Sequence, residues 1–224
     1  MRGPHTALPP VALEVLHVPA RMRVAVLLLP GGRSEDRTAP TRLDLPARRM
    51  TPFARALRRR LPGDVVLTAR VRYRYRGWNG QDAHPVQDAG RALEELASFA
   101  PGLPVVLIGH SMGGRAAIAA AGRPQVRGVV ALAPWCPPGD PVDQLAGRSL
   151  VVLHDRRDRV TSAVESFALA RRAAAAGARV ELVPMPRGRH AMLRNASMWH
   201  RLTVEAVASV LTGVPLLPAA SSRG

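Results

Sequence analysis

The residues of this chain best suited by type and spacing to do chemistry are a serine framed by glycines, two carboxylates in one loop and a histidine in another. The serine lies in Gly109-His110-Ser111-Met112-Gly113-Gly114, after the apolar run Pro104-Val105-Val106-Leu107-Ile108 and before the alanine-rich stretch from Arg115 to Ala121. A serine on a sharp strand-to-helix turn has its neighbours two residues away pressed against backbone, so those positions call for glycine. Such a turn lifts the hydroxyl above the sheet and aims backbone N–H groups at the positive end of the helix toward the same space. A serine hydroxyl is a weak nucleophile near neutral pH and needs a base within reach, with a further group to orient the base. The loop Asp155-Arg156-Arg157-Asp158-Arg159-Val160 offers acids, and Pro186-Arg187-Gly188-Arg189-His190 offers a histidine. The order serine, acid, histidine suits nucleophilic acyl transfer on an open parallel sheet. The first oxyanion donor on this reading is the backbone N–H of Met112.

These residues can meet only if the intervening chain builds a sheet whose carboxyl-end loops converge. Apolar runs at Val24 to Leu29, Val65 to Val71, Val105 to Ile108, Val126 to Ala133, Leu150 to His154 and Arg179 to Met185 read as strands. Between them, helical patterns run from Thr51 to Leu61, Pro85 to Phe99, Met112 to Ala121 and Ser162 to Ala176, with a last one from Ala196 to Leu211. Thr51 is expected to cap its helix, Pro62-Gly63 to close it, and Glu94 and Glu95 to lie on a wet face. This alternation predicts a mostly parallel sheet with helices on both faces, in a single domain with a core of about residues 22–212. Val11 to Val18 is a candidate edge strand; the N-terminal segment and the tail 215–224 are expected to be irregular. Pro134 to Gly147 is too short to hold a helical cap.

At this point the chain resembles the α/β-hydrolase fold superfamily, in particular its small capless serine hydrolases, near the dienelactone hydrolase-like and small esterase groups. The resemblance runs over roughly residues 22–212 and rests on the Gly109 to Gly114 elbow, on Asp158-Arg159-Val160-Thr161, and on Gly188-Arg189-His190-Ala191-Met192-Leu193. Arg76-Gly77-Trp78-Asn79-Gly80 resembles the family's Arg-Gly-x-Gly turn with one extra residue. The resemblance implies a Ser111, Asp158 and His190 triad, with Asp155 standing where the family has a small residue. It implies a second oxyanion donor after the first strand, where Pro30-Gly31-Gly32 replaces the usual His-Gly-x. Gly32 is the candidate there, with Arg33 as the alternative. Trp78, Trp135, Cys136 and Met192, with Arg33, come from loops at the expected mouth and are candidate pocket residues. His84, His110 and His154 are read as packed or hydrogen-bonded residues, and His200 as a surface or packing residue. The expected activity is cleavage of an ester or related acyl bond of a small molecule, without a cofactor; thioesterase, lactonase and acyltransferase chemistry use the same parts.

Composition limits the remaining classes. Hydrophobic residues make up 47% of the 224, and mean hydropathy is near zero, as in a soluble globular protein. Cys136 is the single cysteine and has no partner at metal-ligand spacing, so neither a disulfide framework nor a structural zinc site is expected. No apolar run is long enough to span a membrane, and prolines interrupt the first twenty residues, which suggests a cytoplasmic protein. The net charge of +16 rests on arginine alone, since the chain has no lysine. Arginines alternate with Val71, Tyr73 and Tyr75 from Arg70 to Arg76, a pattern read as an extended segment whose arginines reach solvent. Nonspecific polyanion adhesion is expected rather than a specific nucleic-acid partner. The alternative of another class is a basic protein that keeps this scaffold to bind nucleic acid or anionic lipid.

Overall fold

The computed structural model describes residues 11–41, 43–61, 65–186 and 189–216. Seven strands form one sheet: β1 (Leu13–His17), β2 (Val24–Leu29), β3 (Val66–Val71), β4 (Val105–His110), β5 (Val126–Leu132), β6 (Ser149–Asp155) and β7 (Arg179–Met185). Their spatial order is β1-β3-β2-β4-β5-β6-β7, parallel throughout except for β1, which pairs antiparallel with β3. The candidate edge strand is therefore real. Glu95, expected to be solvated, accepts from the N–H groups of Ala12 and Leu13 at 2.9 and 2.8 Å and so fastens β1 to the helix behind it.

The chain moves outward from β2 to β3 and then returns to place β4 on the other side of β2. This reversal opens a crevice beyond the carboxyl ends of β2 and β4, where the loops diverge. The segments leaving those two strands are Pro30-Gly31-Gly32 and Ser111. In register, Gly109 of β4 lies beside Leu29 of β2 and Ala131 of β5, which sets Ser111 at the centre of the sheet's carboxyl edge.

Among the described residues the α-helices are α1 (Leu45–Arg49), α2 (Thr51–Arg60), α3 (His84–Phe99), α4 (Met112–Ala119), α5 (Ala163–Ala175) and α6 (Ala196–Thr212). Alternate residues of each central strand feed two cores. Val105 and Leu107 pack with α3, α4 and α5, while Val106 and Ile108 pack with α2 and α6 around Phe53, Leu57 and Trp199. Between β5 and β6 the chain forms only one three-residue 3₁₀ turn, Asp143–Leu145, so nothing there covers the carboxyl edge.

Several local expectations need correction. Helix α1 was not legible: its five residues are too few for a periodic signal, and none is buried. Because it runs directly into α2, Thr51 is the first helical residue rather than the cap, and Met50 takes the cap position. The extended segment stops at Val71, and its arginines are largely neutralised within the fold instead of reaching freely into solvent. Arg70 pairs with Glu14 at 2.7 Å, Arg74 with the fully buried Asp88 at 2.6 Å, and Arg76 with Asp44 at 3.1 Å. Pro62-Gly63, most of the tail and the first ten residues lie outside the described residues.

Candidate active site

Ser111 has φ 54° and ψ −118°, a left-handed backbone conformation that costs a non-glycine residue about 1–3 kcal/mol. Packing holds it there. Its N–H donates to Leu132 O at 3.0 Å, and its carbonyl accepts from Gly114, Arg115 and Trp135. A Cβ on Gly113 would lie 2.7 Å from the Leu29 carbonyl carbon, and one on Gly109 would lie 2.7 Å from Gly114 Cα. The elbow therefore closes only with glycine at both places. Ser111 is 8% exposed, and its hydroxyl makes no hydrogen bond to another described residue.

The loop after β6 and the loop after β7 meet beside this turn. His190 Nδ1 lies 2.9 Å from Asp158 Oδ2. A carboxylate accepts, so Nδ1 carries a proton and the neutral ring leaves its Nε2 lone pair available as a base. Asp158 is itself heavily bonded. Its Oδ1 accepts from Val160 N–H at 2.8 Å, and its Oδ2 lies 3.3 Å from His154 Nε2 and 3.1 Å from Thr161 Oγ1. Burial works to raise the Asp158 pKa, but the hydrogen bonds from His154, His190 and Val160 outweigh it and hold the carboxyl well below the usual carboxylate range. Asp155 is occupied differently: Arg157 N–H and Arg189 N–H donate to its two oxygens at 2.9 and 2.8 Å. The geometry thus brings Asp158, and not Asp155, to the His190 ring.

His110 links the elbow to the histidine loop. Its Nε2 lies 2.9 Å from the His190 carbonyl, and the two rings are 4.9 Å apart. Burial and the neighbouring His190 pull its pKa down to about 3, so the ring is neutral and donates through Nε2. His110 is therefore a hydrogen-bonded core residue, as expected, and it also fixes the backbone of His190. His154, expected likewise to be a packed or hydrogen-bonded residue, has a more specific place. It is fully buried and spans Ser166 Oγ, 2.9 Å from Nδ1, and Asp158. Its position at the carboxyl end of β6, four residues before Asp158, was the available signal.

On the other side of Ser111, the Met112 N–H begins α4 and the Gly32 N–H has no partner among the described residues. The two segments touch: a Cβ on Gly32 would collide with the Met112 side chain and Arg76 O, while one on Gly31 would lie 3.5 Å from Ser111 Cβ. Tyr73, half-buried and with its pKa raised chiefly by burial, donates to Pro30 O at 3.2 Å and anchors this loop. Arg33 is excluded as the alternative oxyanion donor because its N–H already donates to Arg76 O at 2.9 Å.

The candidate pocket residues separate into groups. Trp78 and Trp135 stand 6.0 Å apart and, with Glu35, Gln81 and Arg115, line an open depression of about 470 Å³. Arg115, missed in the sequence although it lies one helical turn beyond Ser111, stacks on both indoles at 3.8 and 4.5 Å. Asp140 holds its guanidinium through two hydrogen bonds of 2.7 and 2.8 Å. Cys136 is buried in the core below, where burial pushes its thiol up to about 12. Met192 packs into the core on the opposite face of the sheet with Trp199, and Arg33 points outward at 69% side-chain exposure. Neither Met192 nor Arg33 joins the two tryptophans.

Comparison with known proteins agrees with this architecture. No curated protein matches the sequence. Among solved structures, a protein of unknown function from Agrobacterium tumefaciens is 16% identical with TM-score 0.70, covering 92% of this chain and 93% of its own. A lidless serine hydrolase from Xanthomonas campestris is 18% identical with TM-score 0.63 and the same coverage of 92% and 93%. An acetyl ester-xyloside bifunctional hydrolase from Caldicellulosiruptor lactoaceticus is 16% identical with TM-score 0.64, covering 88% and 87%. At these identities the likeness is one of fold. The model of the alpha/beta hydrolase family matches residues 26–220, and the chain, with its mostly parallel seven-stranded sheet, belongs to that family.

Proposed function

We propose that this α/β hydrolase is a serine hydrolase that cleaves a carboxylic ester of a small molecule through an acyl-enzyme. The observation that carries the reading is the 2.9 Å bond between Asp158 and His190 Nδ1, formed between two loops beside a serine of positive φ. In the first step Ser111 Oγ attacks the ester carbonyl carbon while His190 Nε2 takes the hydroxyl proton. Asp158 keeps the imidazole in the tautomer that can do so and stabilises the imidazolium formed. The tetrahedral oxyanion is received by the N–H groups of Met112 and Gly32. The alkoxide then leaves with the proton from His190, and a water activated by the same histidine releases the acid. The Ser111 hydroxyl has no hydrogen-bond partner among the described residues, and a nucleophile-to-base bond commonly tightens only once substrate is bound.

Labelling with a fluorophosphonate probe and turnover of p-nitrophenyl esters test the reading. Wild type is expected to label and turn over, and Ser111→Ala to lose labelling and at least roughly a thousandfold in kcat/KM. Equal labelling of the two proteins, or no labelling of a folded wild type, would falsify it. A series of oxygen esters, thioesters and lactones then ranks the leaving groups. An ester-specific profile supports the proposed activity, whereas a thioester or lactone optimum moves it within the same mechanism.

A further inference from the structure

The large aliphatic side chains that face solvent include Val11, Val18 and Met22 beside β1 and Val214 after α6, but the most exposed of them gather elsewhere. Among the described residues the five most exposed are Val164 at 76%, Leu43 at 73%, Val160 and Leu193 at 71%, and Leu45 at 68%. All five belong to segments that leave the carboxyl ends of β2, β6 and β7. They are also tied together around the Ser111 crevice. Arg49, at the end of α1, donates to Ala191 O at 2.7 Å, joining the Leu43 and Leu45 segment to the loop of His190 and Leu193. The Asp158 to His190 bond joins the Val160 and Val164 segment to the same loop. Single exposed aliphatic residues carry no meaning, but their convergence on one end of a molecule marks an interaction face.

Arginine frames this end. Arg48, Arg156, Arg159, Arg189 and Arg194 are exposed, and the side chain of none meets a carboxylate within ion-pair distance among the described residues. A second copy of the chain is a poor occupant, because it would press one arginine rim of a +16 molecule against another. A bilayer rich in anionic phospholipid answers both features. Its headgroups neutralise the guanidinium groups, and the valines and leucines enter the boundary between headgroup and acyl chain.

We infer that the carboxyl-edge face is a docking surface for anionic phospholipid membranes, presenting the Ser111 mouth to the lipid. The docking stands on the surface alone. It rests on the proposed esterase reading only for its consequence, that the ester reaching Ser111 is one held at a membrane surface.

Co-sedimentation with sucrose-loaded vesicles separates the alternatives. Wild type is expected to bind vesicles containing about 30 mol % phosphatidylserine at least ~10-fold better than pure phosphatidylcholine. Ser111→Ala should bind as wild type does, so loss of catalysis and loss of docking are read separately. The combined variant Leu45→Ser, Val160→Ser, Val164→Ser and Leu193→Ser should lose at least about fivefold in partitioning. A charge-matched comparison keeps the test decisive if that variant is unstable. Arg156→Gln with Arg159→Gln, at the rim, should weaken binding several-fold more than Arg58→Gln with Arg59→Gln, at the far end of the sheet. Failure of wild type to bind, equal effects of the two arginine pairs, or full binding by a folded serine variant overturns the inference. Tighter binding to duplex DNA that ignores the serine substitutions assigns the charge to nucleic acid and overturns it as well.

Discussion

At the scale of single residues, the candidate site depends on histidines that do not themselves react. His110, held neutral by burial and the nearby His190, carries a pKa of about 3 against about 6.5 in an unfolded chain. Its folded pKa is the depressed one, so its contribution to stability is present above about pH 6.5 and is lost as pH falls toward 3. His110→Gln removes that dependence. Urea unfolding at about pH 6 and about pH 5 should show wild type losing about 1 kcal/mol more than the variant over that interval; parallel losses would refute the assignment. His154 acts on Asp158 rather than on substrate, so it is a positioning residue. Under the esterase reading, His154→Asn should lower kcat by about tenfold with little change in KM. A variant that folds and keeps kcat with its pH profile unmoved would reduce His154 to packing. The serine, acid and histidine were legible in the sequence because each sits in a short loop with its own local signature. His154 and Arg115 were not, because what distinguishes them is which side chain they face.

At the scale of elements, each strand end delivers one part: β2 the Gly31-Gly32 loop, β4 the elbow, β6 the acid and β7 the histidine. Strands and long helices were legible from periodicity, since both faces of the central strands are buried and α3 shows its apolar stripe. The short α1 was not, and neither was the role of Glu95, whose charge marks it as a solvated residue. In the fold its carboxylate satisfies two N–H groups of the edge strand, one of them on the buried Ala12. Glu95→Ala should therefore cost about 1–3 kcal/mol, visible as a lower Tm, and should speed hydrogen exchange at Ala12 and Leu13. Unchanged exchange at those two amides would show that β1 does not depend on the glutamate.

At the scale of the whole molecule, the charge divides into two populations. One is consumed inside the fold: Asp88 takes Arg74 and Arg91, Asp140 takes Arg115, and Asp44 takes Arg76. The other is surface arginine, whose mutual repulsion works against the compact state. Raising sodium chloride from about 50 to about 500 mM screens that repulsion and should raise Tm by a few degrees; a falling Tm would mean that surface ion pairs dominate instead. By itself the sequence determined the sheet-and-helix alternation, the elbow and the chain order of the three candidate residues. Those are local properties, written in glycine spacing, β-branched runs and loop composition. The tertiary structure sets Asp158, the acid the resemblance implied, against His190; it alone decided that Arg33 is not free to donate and that Met192 lies across the sheet from the tryptophans. It also decided that the five most exposed aliphatic residues gather at one end. Each of these depends on which parts of the chain, distant in sequence, a twisted parallel sheet brings side by side, and no local pattern records that.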